Sequence, residues 1–102
     1  MQSALVRESC EDGVDVVFMS GDVDAAHANE ILQLFVGYRR HDKLILDLIA
    51  VDSLSTRVVA ALVIGQSLLD HAGCELVLRS VSPAIFSAFE TTNTESIFTF
   101  SD

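Results

Sequence analysis

Apolar and polar positions repeat along this chain with two different periods, and each period predicts a different kind of element. Short apolar runs bounded by turn residues predict strands over residues 4–8, 14–19, 44–48 and 75–79. The Glu-Asp-Gly sequence at 11–13 predicts a turn that joins the first two strands into a hairpin. Residues 97–100 predict either a last strand or a docked tail.

Between the second and third strands the apolar spacing becomes helical. Asp24 is the predicted N-cap of this first helix, because its carboxylate can accept a hydrogen bond from a free amide of the first turn. The apolar residues that follow lie three or four positions apart and form one face: Ala28, Ile31, Leu32, Phe35 and Tyr38.

Two further helices are predicted from their capping residues. Ser55 is the expected N-cap of a helix over 56–72, which Gly73 ends. The expected inner face of that helix is almost wholly apolar: Val58, Val59, Leu62, Val63, Gln66 and Leu69. Ser82 is the expected N-cap of the last helix, since Pro83 follows at the first helical position. Its inward side chains are Ile85, Phe86 and Phe89.

The order of elements predicts the fold class. Strands that alternate with helices after an opening hairpin indicate right-handed crossovers and a mostly parallel sheet. We therefore expect a single α/β layered domain over residues 1–102, with four to five strands. The hairpin supplies an antiparallel edge, and the helices pack on the sheet.

Length and composition agree with a globular domain. The chain has 102 residues, of which half are hydrophobic and a fifth charged, so it can build one core. The apolar run at 58–64 is too short to span a bilayer, and the N-terminus lacks a signal-peptide pattern. We therefore expect a cytoplasmic protein. Cys10 and Cys74 are expected to be reduced, partly buried structural residues.

The negative charge of the chain disfavours polyanionic partners. Six basic and fifteen acidic residues give a net charge of −9, which repels nucleic acid and anionic membranes. The pair Arg39-Arg40 is the one cluster of basic residues, and it lies near the expected end of the first helix. We expect neither nucleic-acid binding nor membrane insertion.

Motifs for catalysis and for metal binding are missing from the sequence. A Ser55 or Thr56 nucleophile with His27 as its base lacks the Gly-x-Ser-x-Gly elbow, and no P-loop or dinucleotide fingerprint occurs. His27, His41 and His71 do not have metal-ligand spacing. The sequence therefore predicts no enzyme, no metal and no cofactor.

The start of the second predicted helix is the most informative place in the chain. An apolar strand, a short loop over 49–54 and two hydroxyl residues, Ser55 and Thr56, precede an apolar helix. A helix N-terminus favours an anion, so the fold tolerates a phosphate there. The start of this helix also follows the carboxyl end of a strand, where α/β proteins tend to place their functional residues.

Four ordered segments resemble the STAS domain family, the fold of bacterial anti-sigma factor antagonists. They are Ser-Gly-Asp-Val-Asp-Ala at 20–25, Leu-Asp-Leu with Val-Asp at 46–48 and 51–52, Ala-Gly-Cys-Glu-Leu-Val-Leu at 72–78, and Val-Ser-Pro-Ala at 81–84. Together the matching region covers about 14–100. The resemblance implies a non-catalytic switch protein that a partner kinase phosphorylates on a hydroxyl at the second helix.

The sequence departs from the family at that hydroxyl motif. The family usually has Asp-Ser-Ser-Gly or Asp-Thr-Ser-Gly, and those four positions fall on Ser55, Thr56, Arg57 and Val58. Thr56 keeps a hydroxyl in register. A stressosome-like branch of the family is similar, since it is phosphorylated at the first hydroxyl and tolerates a basic residue two positions later. Thr56 and Ser55 are therefore both candidate phosphorylation sites.

The resemblance also implies partners and a binding surface. The expected partners are a serine/threonine kinase of the anti-sigma type and a cognate phosphatase. The residues expected to contact them lie around the start of the second helix: Asp22, Asp24, His27, Asp52, Ser53 and Arg57. Asp52 and Ser53 are expected to belong to the loop.

A second interpretation needs no phosphate. The chain is also similar to the small STAS component of bacterial lipid-transport complexes of the ABC type, where it would be a constitutive structural subunit. The altered helix start fits this role, whereas the retained hydroxyl and Asp52 favour the switch.

Overall fold

A computed structural model describes residues 7–36 and 42–101. It contains five strands, β1 to β5, and three helices, α1 to α3. The strands are Arg7–Glu11, Val14–Val23, Lys43–Leu54, Glu75–Arg79 and Thr99–Ser101, and the helices are Ala28–Phe35, Thr56–His71 and Pro83–Thr91. Short 3-10 turns lie at Ala25–His27 and Glu95–Ile97.

The five strands form one mixed sheet in the order of the chain, β1-β2-β3-β4-β5. β1 pairs antiparallel with β2, and all the other pairs are parallel. Because each crossover moves to the next strand in the same direction, right-handed connections place α1, α2 and α3 on one face of the sheet. The predicted α/β layered fold is confirmed.

The core lies between this sheet face and the helices. Alternate residues of β3, namely Leu44, Leu46 and Leu48, are buried in one cluster with residues of all three helices. Helices α1 and α2 meet closely at Gly65 of α2, since an added Cβ there would overlap the ring of Phe35 of α1. In α2 the structure buries Val58, Val59, Leu62 and Leu69 as predicted and leaves Val63 and Gln66 half-buried.

The turn of the first hairpin lies where it was predicted, but β1 continues past Glu8, the expected end of the strand. This turn consists only of Asp12 and Gly13, whose φ angles of 54° and 78° both lie in the left-handed region. Such two-residue turns fit the twist of a hairpin, so β1 continues to Glu11. Residues 4–6 of the predicted strand lie outside the described residues.

Strands β2 and β3 are much longer than the sequence indicated. β3 extends to Leu54, so the assignment of Asp52 and Ser53 to a loop is wrong. The parallel pairing of β3 with β2 is irregular at two places, between Phe18 and Ser20 and between Gly21 and Asp22. It continues beyond them, where Asp22 pairs with Ser53 and Val23 pairs with Leu54. In this pairing the backbone N–H and C=O groups bond to β2, whereas in a loop they would bond to water. Only Ser55 remains between the end of β3 and the start of α2.

The caps and the end of the chain mostly follow the predictions. Asp24 caps the 3-10 turn that precedes α1 rather than α1 itself, whereas Ser82 caps α3 as expected. Residues 97–100 contribute to the last 3-10 turn and to β5. Cys74 is buried, but Cys10 is exposed on edge strand β1, so the expectation that it is partly buried is wrong. Tyr38, Arg39, Arg40 and His41 lie outside the described residues.

Candidate functional site

The predicted site residues lie at one end of the sheet, where β2 and β3 finish side by side. The backbone N–H of Ser55 donates to the carbonyl of Val23 at 3.0 Å, which ties the start of α2 to the end of β2. We call this region the corner, and it comprises the residues predicted from the sequence: Asp22, Asp24, His27, Asp52, Ser53, Ser55, Thr56 and Arg57.

Ser55 performs the capping role that its position suggested. Its backbone is extended, with φ −76° and ψ 158°, and its half-buried hydroxyl accepts a hydrogen bond from the Val58 N–H at 3.3 Å. This bond satisfies one of the amides that a helix leaves free at its N-terminus. The Ser55 hydroxyl is therefore already engaged in capping α2.

Thr56 is the first residue of α2, and its side chain is exposed. Within the described ranges its hydroxyl takes part in no hydrogen bond. The amides of Thr56 and Arg57 precede the first intrahelical bond, so the positive end of the helix dipole faces this hydroxyl. Thr56 thus presents a free nucleophilic oxygen at a place that favours an anion.

The strand ends contribute a separate polar pair. The Ser53 hydroxyl donates to Asp22 Oδ1 at 2.8 Å, and both side chains are exposed. Asp52 is the additional β3 residue at the second irregularity, where Gly21 pairs with Val51 and Asp22 pairs with Ser53. Irregularities of this kind re-aim side chains at the end of a sheet, and Asp52 is exposed.

Asp24 and His27 cap each other in the 3-10 turn. Asp24 Oδ1 accepts from the Ala26 N–H at 3.0 Å, and His27 Nδ1 accepts from the Asp24 N–H at 3.2 Å. This arrangement is a capping box in which histidine takes the place of the usual glutamate. Both residues therefore have a structural role, and the Asp24 side chain is also 64% exposed.

Two open grooves flank the exposed surface of α2, and neither was predicted from the sequence. One groove, of about 360 Å³, lies between α1 and α2. The other, of about 310 Å³, lies between α2 and the segment that follows α3. Ala60 and Ile64 line both grooves. The apolar pattern predicted only the buried face of α2, although Thr56, Ala60, Ile64 and Leu68 are spaced four residues apart and form a second, exposed row.

The titratable groups with shifted pKa values, Arg79 and Cys74, are not among the residues of the corner. Hydrogen bonds from Arg79 to Glu11 and Asp47 raise the pKa of its guanidinium. Burial, together with the charges of Asp42 and Glu75, raises the pKa of the Cys74 thiol. Across residues 7–36 and 42–101 no group of three or more histidine, cysteine or acidic side chains is arranged to hold a metal ion.

In the part of the chain that the structure describes, none of the helices combines the length and apolarity needed to cross a membrane.

Comparison of the fold with solved structures gives several close matches. An anti-sigma factor antagonist from Mycobacterium paratuberculosis is 25% identical, with a TM-score of 0.70 over 93% of this chain and 82% of that one. A Thermotoga maritima protein classed as an anti-sigma factor antagonist is 18% identical, with a TM-score of 0.80 over 97% and 87%. The antagonist SpoIIAA in its unphosphorylated form is 13% identical, with a TM-score of 0.74 over 95% and 88%.

At 18% and 13% identity the last two similarities show the fold alone. No curated protein matches the sequence. A family model described as "Mlab, STAS domain" matches residues 6–99, which is nearly the whole chain. The chain therefore belongs to the STAS domain family.

Proposed function

We propose that this STAS domain is a non-catalytic, cytoplasmic regulator that binds a protein partner through the corner and is released by phosphorylation of Thr56. The observation that carries the proposal is the difference between the two neighbouring hydroxyls. Ser55 uses its hydroxyl to cap α2, whereas the Thr56 hydroxyl is exposed and takes part in no hydrogen bond within the described ranges. Thr56 is therefore favoured over Ser55 as the phosphorylated residue.

A phosphate on Thr56 would change binding without changing the fold. It adds nearly two negative charges and three acceptor oxygens beside the free amides of the first turn. The helix dipole stabilises such a charge by about 0.3–1 kcal/mol at an exposed site. A partner that covers the corner would have to bury this charge unpaired, which is costly enough to break an interface.

Arg57 sets how strong that switch is. Its side chain is exposed next to Thr56 and lines the groove between α1 and α2. A guanidinium at this distance in sequence can pair with the phosphate and reduce its effect, or bind an acidic group of the partner when the phosphate is absent. Asp22, Asp24 and Asp52 supply an acidic rim to the same surface, and the Ser53 hydroxyl donates to Asp22 within it.

The partners proposed are a serine/threonine kinase of the anti-sigma type and a phosphatase that restores the free hydroxyl. The similarity to anti-sigma factor antagonists, one of them described in an unphosphorylated form, supports this choice. The net charge of −9 disfavours nucleic acid as a partner.

The test begins with affinity capture by the wild-type chain from its native cell and identification of the captured protein. Binding of that protein is then measured for Thr56→Ala, Thr56→Glu and Ser55→Ala. We expect Thr56→Ala to bind like the wild type and Thr56→Glu to bind at least about tenfold more weakly, since an uncompensated charge costs more than 1.4 kcal/mol. If Thr56→Glu bound the partner as tightly as the wild type, phosphorylation of Thr56 could not be what releases the partner.

A constitutive structural subunit of a lipid-transport complex is the second candidate. Two observations favour it: the matching family model is the Mlab one, and Arg57 and Val58 replace the second hydroxyl and the glycine of the usual motif. In this role the captured partner is a transporter permease or ATPase, and Thr56 carries no phosphate when the chain is isolated from cells. Mass spectrometry of the isolated chain distinguishes the two candidates.

A further inference from the structure

We propose that His27 positions the start of α2, and that protonation of its imidazole ring releases this hold. The coupling passes through one peptide group, the one that joins Val23 to Asp24. This group lies between the 3-10 turn and Ser55, the residue that caps α2. The coupling does not require the proposed function, because it belongs to the chain without a partner.

The peptide group between Val23 and Asp24 is hydrogen-bonded on both sides. Its carbonyl, from Val23, accepts the Ser55 N–H at 3.0 Å, and its N–H, from Asp24, donates to His27 Nδ1 at 3.2 Å. The two polar groups of a trans peptide point in opposite directions. The bonds therefore form one chain from the His27 ring to Ser55. Hydrogen bonds in such a chain polarise one another, so the bond to His27 strengthens the bond to Ser55.

The His27 ring holds the peptide group only while Nδ1 carries no proton. A neutral imidazole accepts at one nitrogen and donates at the other, whereas both nitrogens of an imidazolium are donors. Nδ1 also lies 3.2 Å from Asp24 Oδ1. A proton on Nδ1 would therefore be donated to this carboxylate, and the Asp24 N–H would lose its acceptor.

The ring can exchange these two partners without leaving its place. Nδ1 is equally far, 3.2 Å, from the backbone nitrogen of Asp24 and from its Oδ1. The His27 side chain is 21% exposed, so water can supply the proton. Histidine is the side chain that ordinarily changes its charge between pH 5 and 8. The exchange therefore needs only mild acid.

Charged groups of both signs lie on the elements around His27. Asp24 is in direct contact, and α1 and α2 both pack against the 3-10 turn. α1 carries Glu30 in its first turn, and α2 carries Arg57, which lines the groove between the two helices. β2, which leads into the turn, carries Asp22 near its end. The Asp24 carboxylate is the group with which an imidazolium at this place would pair.

Release of the peptide group loosens the start of α2. The bond from the Ser55 N–H to the Val23 carbonyl ties α2 to the end of β2, and Thr56 is the next residue. Protonation of His27 therefore changes how firmly the Thr56 hydroxyl is held. His27 is a positioning residue, because it acts on Thr56 through the backbone.

Amide hydrogen exchange of the purified chain, followed by NMR, tests this coupling. Protection of the Ser55 N–H is measured at about pH 7.5 and about pH 5.5 and corrected for the intrinsic exchange rate at each pH. We expect protection to fall about two- to tenfold at the lower pH, as for one weakened hydrogen bond. The amide signals of Asp24 and Ser55 should move with the same midpoint as the ring signals of His27.

Three variants assign the effect to the His27 ring. His27→Gln keeps an acceptor that does not titrate, since glutamine is a usual residue at this position of a capping box. Its Ser55 protection should stay within about twofold of the neutral wild type at both pH values, whereas His27→Ala should be poorly protected at both. His71→Gln is the matched control. His71 lies at the opposite end of α2, where its Nδ1 is 2.9 Å from the Ser67 carbonyl oxygen, so the loss at low pH should persist.

Several outcomes would overturn the coupling. Protection of Ser55 that does not depend on pH in the wild type is one, and a loss that persists in His27→Gln is another. Disappearance of the loss in His71→Gln would place the titrating group at the wrong end of α2. These measurements need no partner protein, so their failure would leave the proposed function of the corner intact.

Discussion

Arg79 and Asp47 form an ion pair across two neighbouring strands, with Nε of Arg79 donating to Asp47 Oδ2 at 2.7 Å. The same guanidinium reaches Glu11 Oε1 at 3.2 Å and lies 5.8 Å from the centre of the Phe18 ring. One arginine on β4 thus contacts β1, β2 and β3. Because the core residues of β3 are the alternate ones, this network lies on the sheet face opposite the helices.

Asp47→Asn should destabilise the fold by about 2 kcal/mol. The Asp47 side chain is only 5% exposed, and its Oδ1 also accepts the Ile49 N–H at 2.9 Å. The change removes the charge partner of Arg79 in a partly buried site, where unpaired charges are costly. Urea unfolding measures the effect. Glu11→Gln is the control, since Glu11 is 45% exposed, and it should cost less than ~1 kcal/mol.

Ser55→Ala should cost about 1 kcal/mol of stability, because it removes the hydroxyl that caps α2. Thr56→Ala should be nearly neutral, since the exposed Thr56 hydroxyl makes no bond within the described residues. Urea unfolding of the two variants side by side measures the difference. If Thr56→Ala were the more destabilising change, the division of roles between the hydroxyls would be reversed.

Gly65→Ala should destabilise the protein by about 1–3 kcal/mol, although alanine is the better helix former. The added methyl group overlaps the ring of Phe35 across the contact between α1 and α2. Thermal unfolding measures the loss. The double variant Gly65→Ala with Phe35→Leu should recover part of it, because the smaller side chain removes the overlap. If the loss of stability in the double variant equalled the sum of the losses in the two single variants, the destabilisation by Gly65→Ala would not come from overlap with Phe35.

The stability of the protein should fall as the pH rises above about 9, in part through Cys74. Burial raises the pKa of this thiol from its ordinary value of 9.0, so the folded state holds the proton more tightly than the unfolded state. The stabilisation is complete below pH 9 and is lost as the unfolded thiol ionises. Urea unfolding at pH 7.5 and pH 10 gives the slope.

Cys74→Ala should reduce this alkaline slope, whatever it does to stability at neutral pH. If the wild type and Cys74→Ala lost equal stability between the two pH values, Cys74 would have no part in the alkaline loss.

The sequence by itself determined the features that depend on neighbouring residues. Ser55 and Ser82 cap the helices that follow them, because a cap needs only a hydroxyl and an amide three residues later. Asp12 and Gly13 adopt the left-handed angles of a hairpin turn. The element order, with these signals, was enough to predict the parallel sheet and the placing of Thr56 at a helix start.

Only the tertiary structure decided the features that need two distant segments. β3 continues through Asp52 and Ser53 because β2 supplies hydrogen-bond partners beside it, and neither residue is a typical strand former. The ion pair of Asp47 and Arg79 joins residues 32 positions apart. The exposure of Ile64 and Leu68 depends on how α1 and α3 pack around α2, since a helical period gives the spacing of a face but not what covers it.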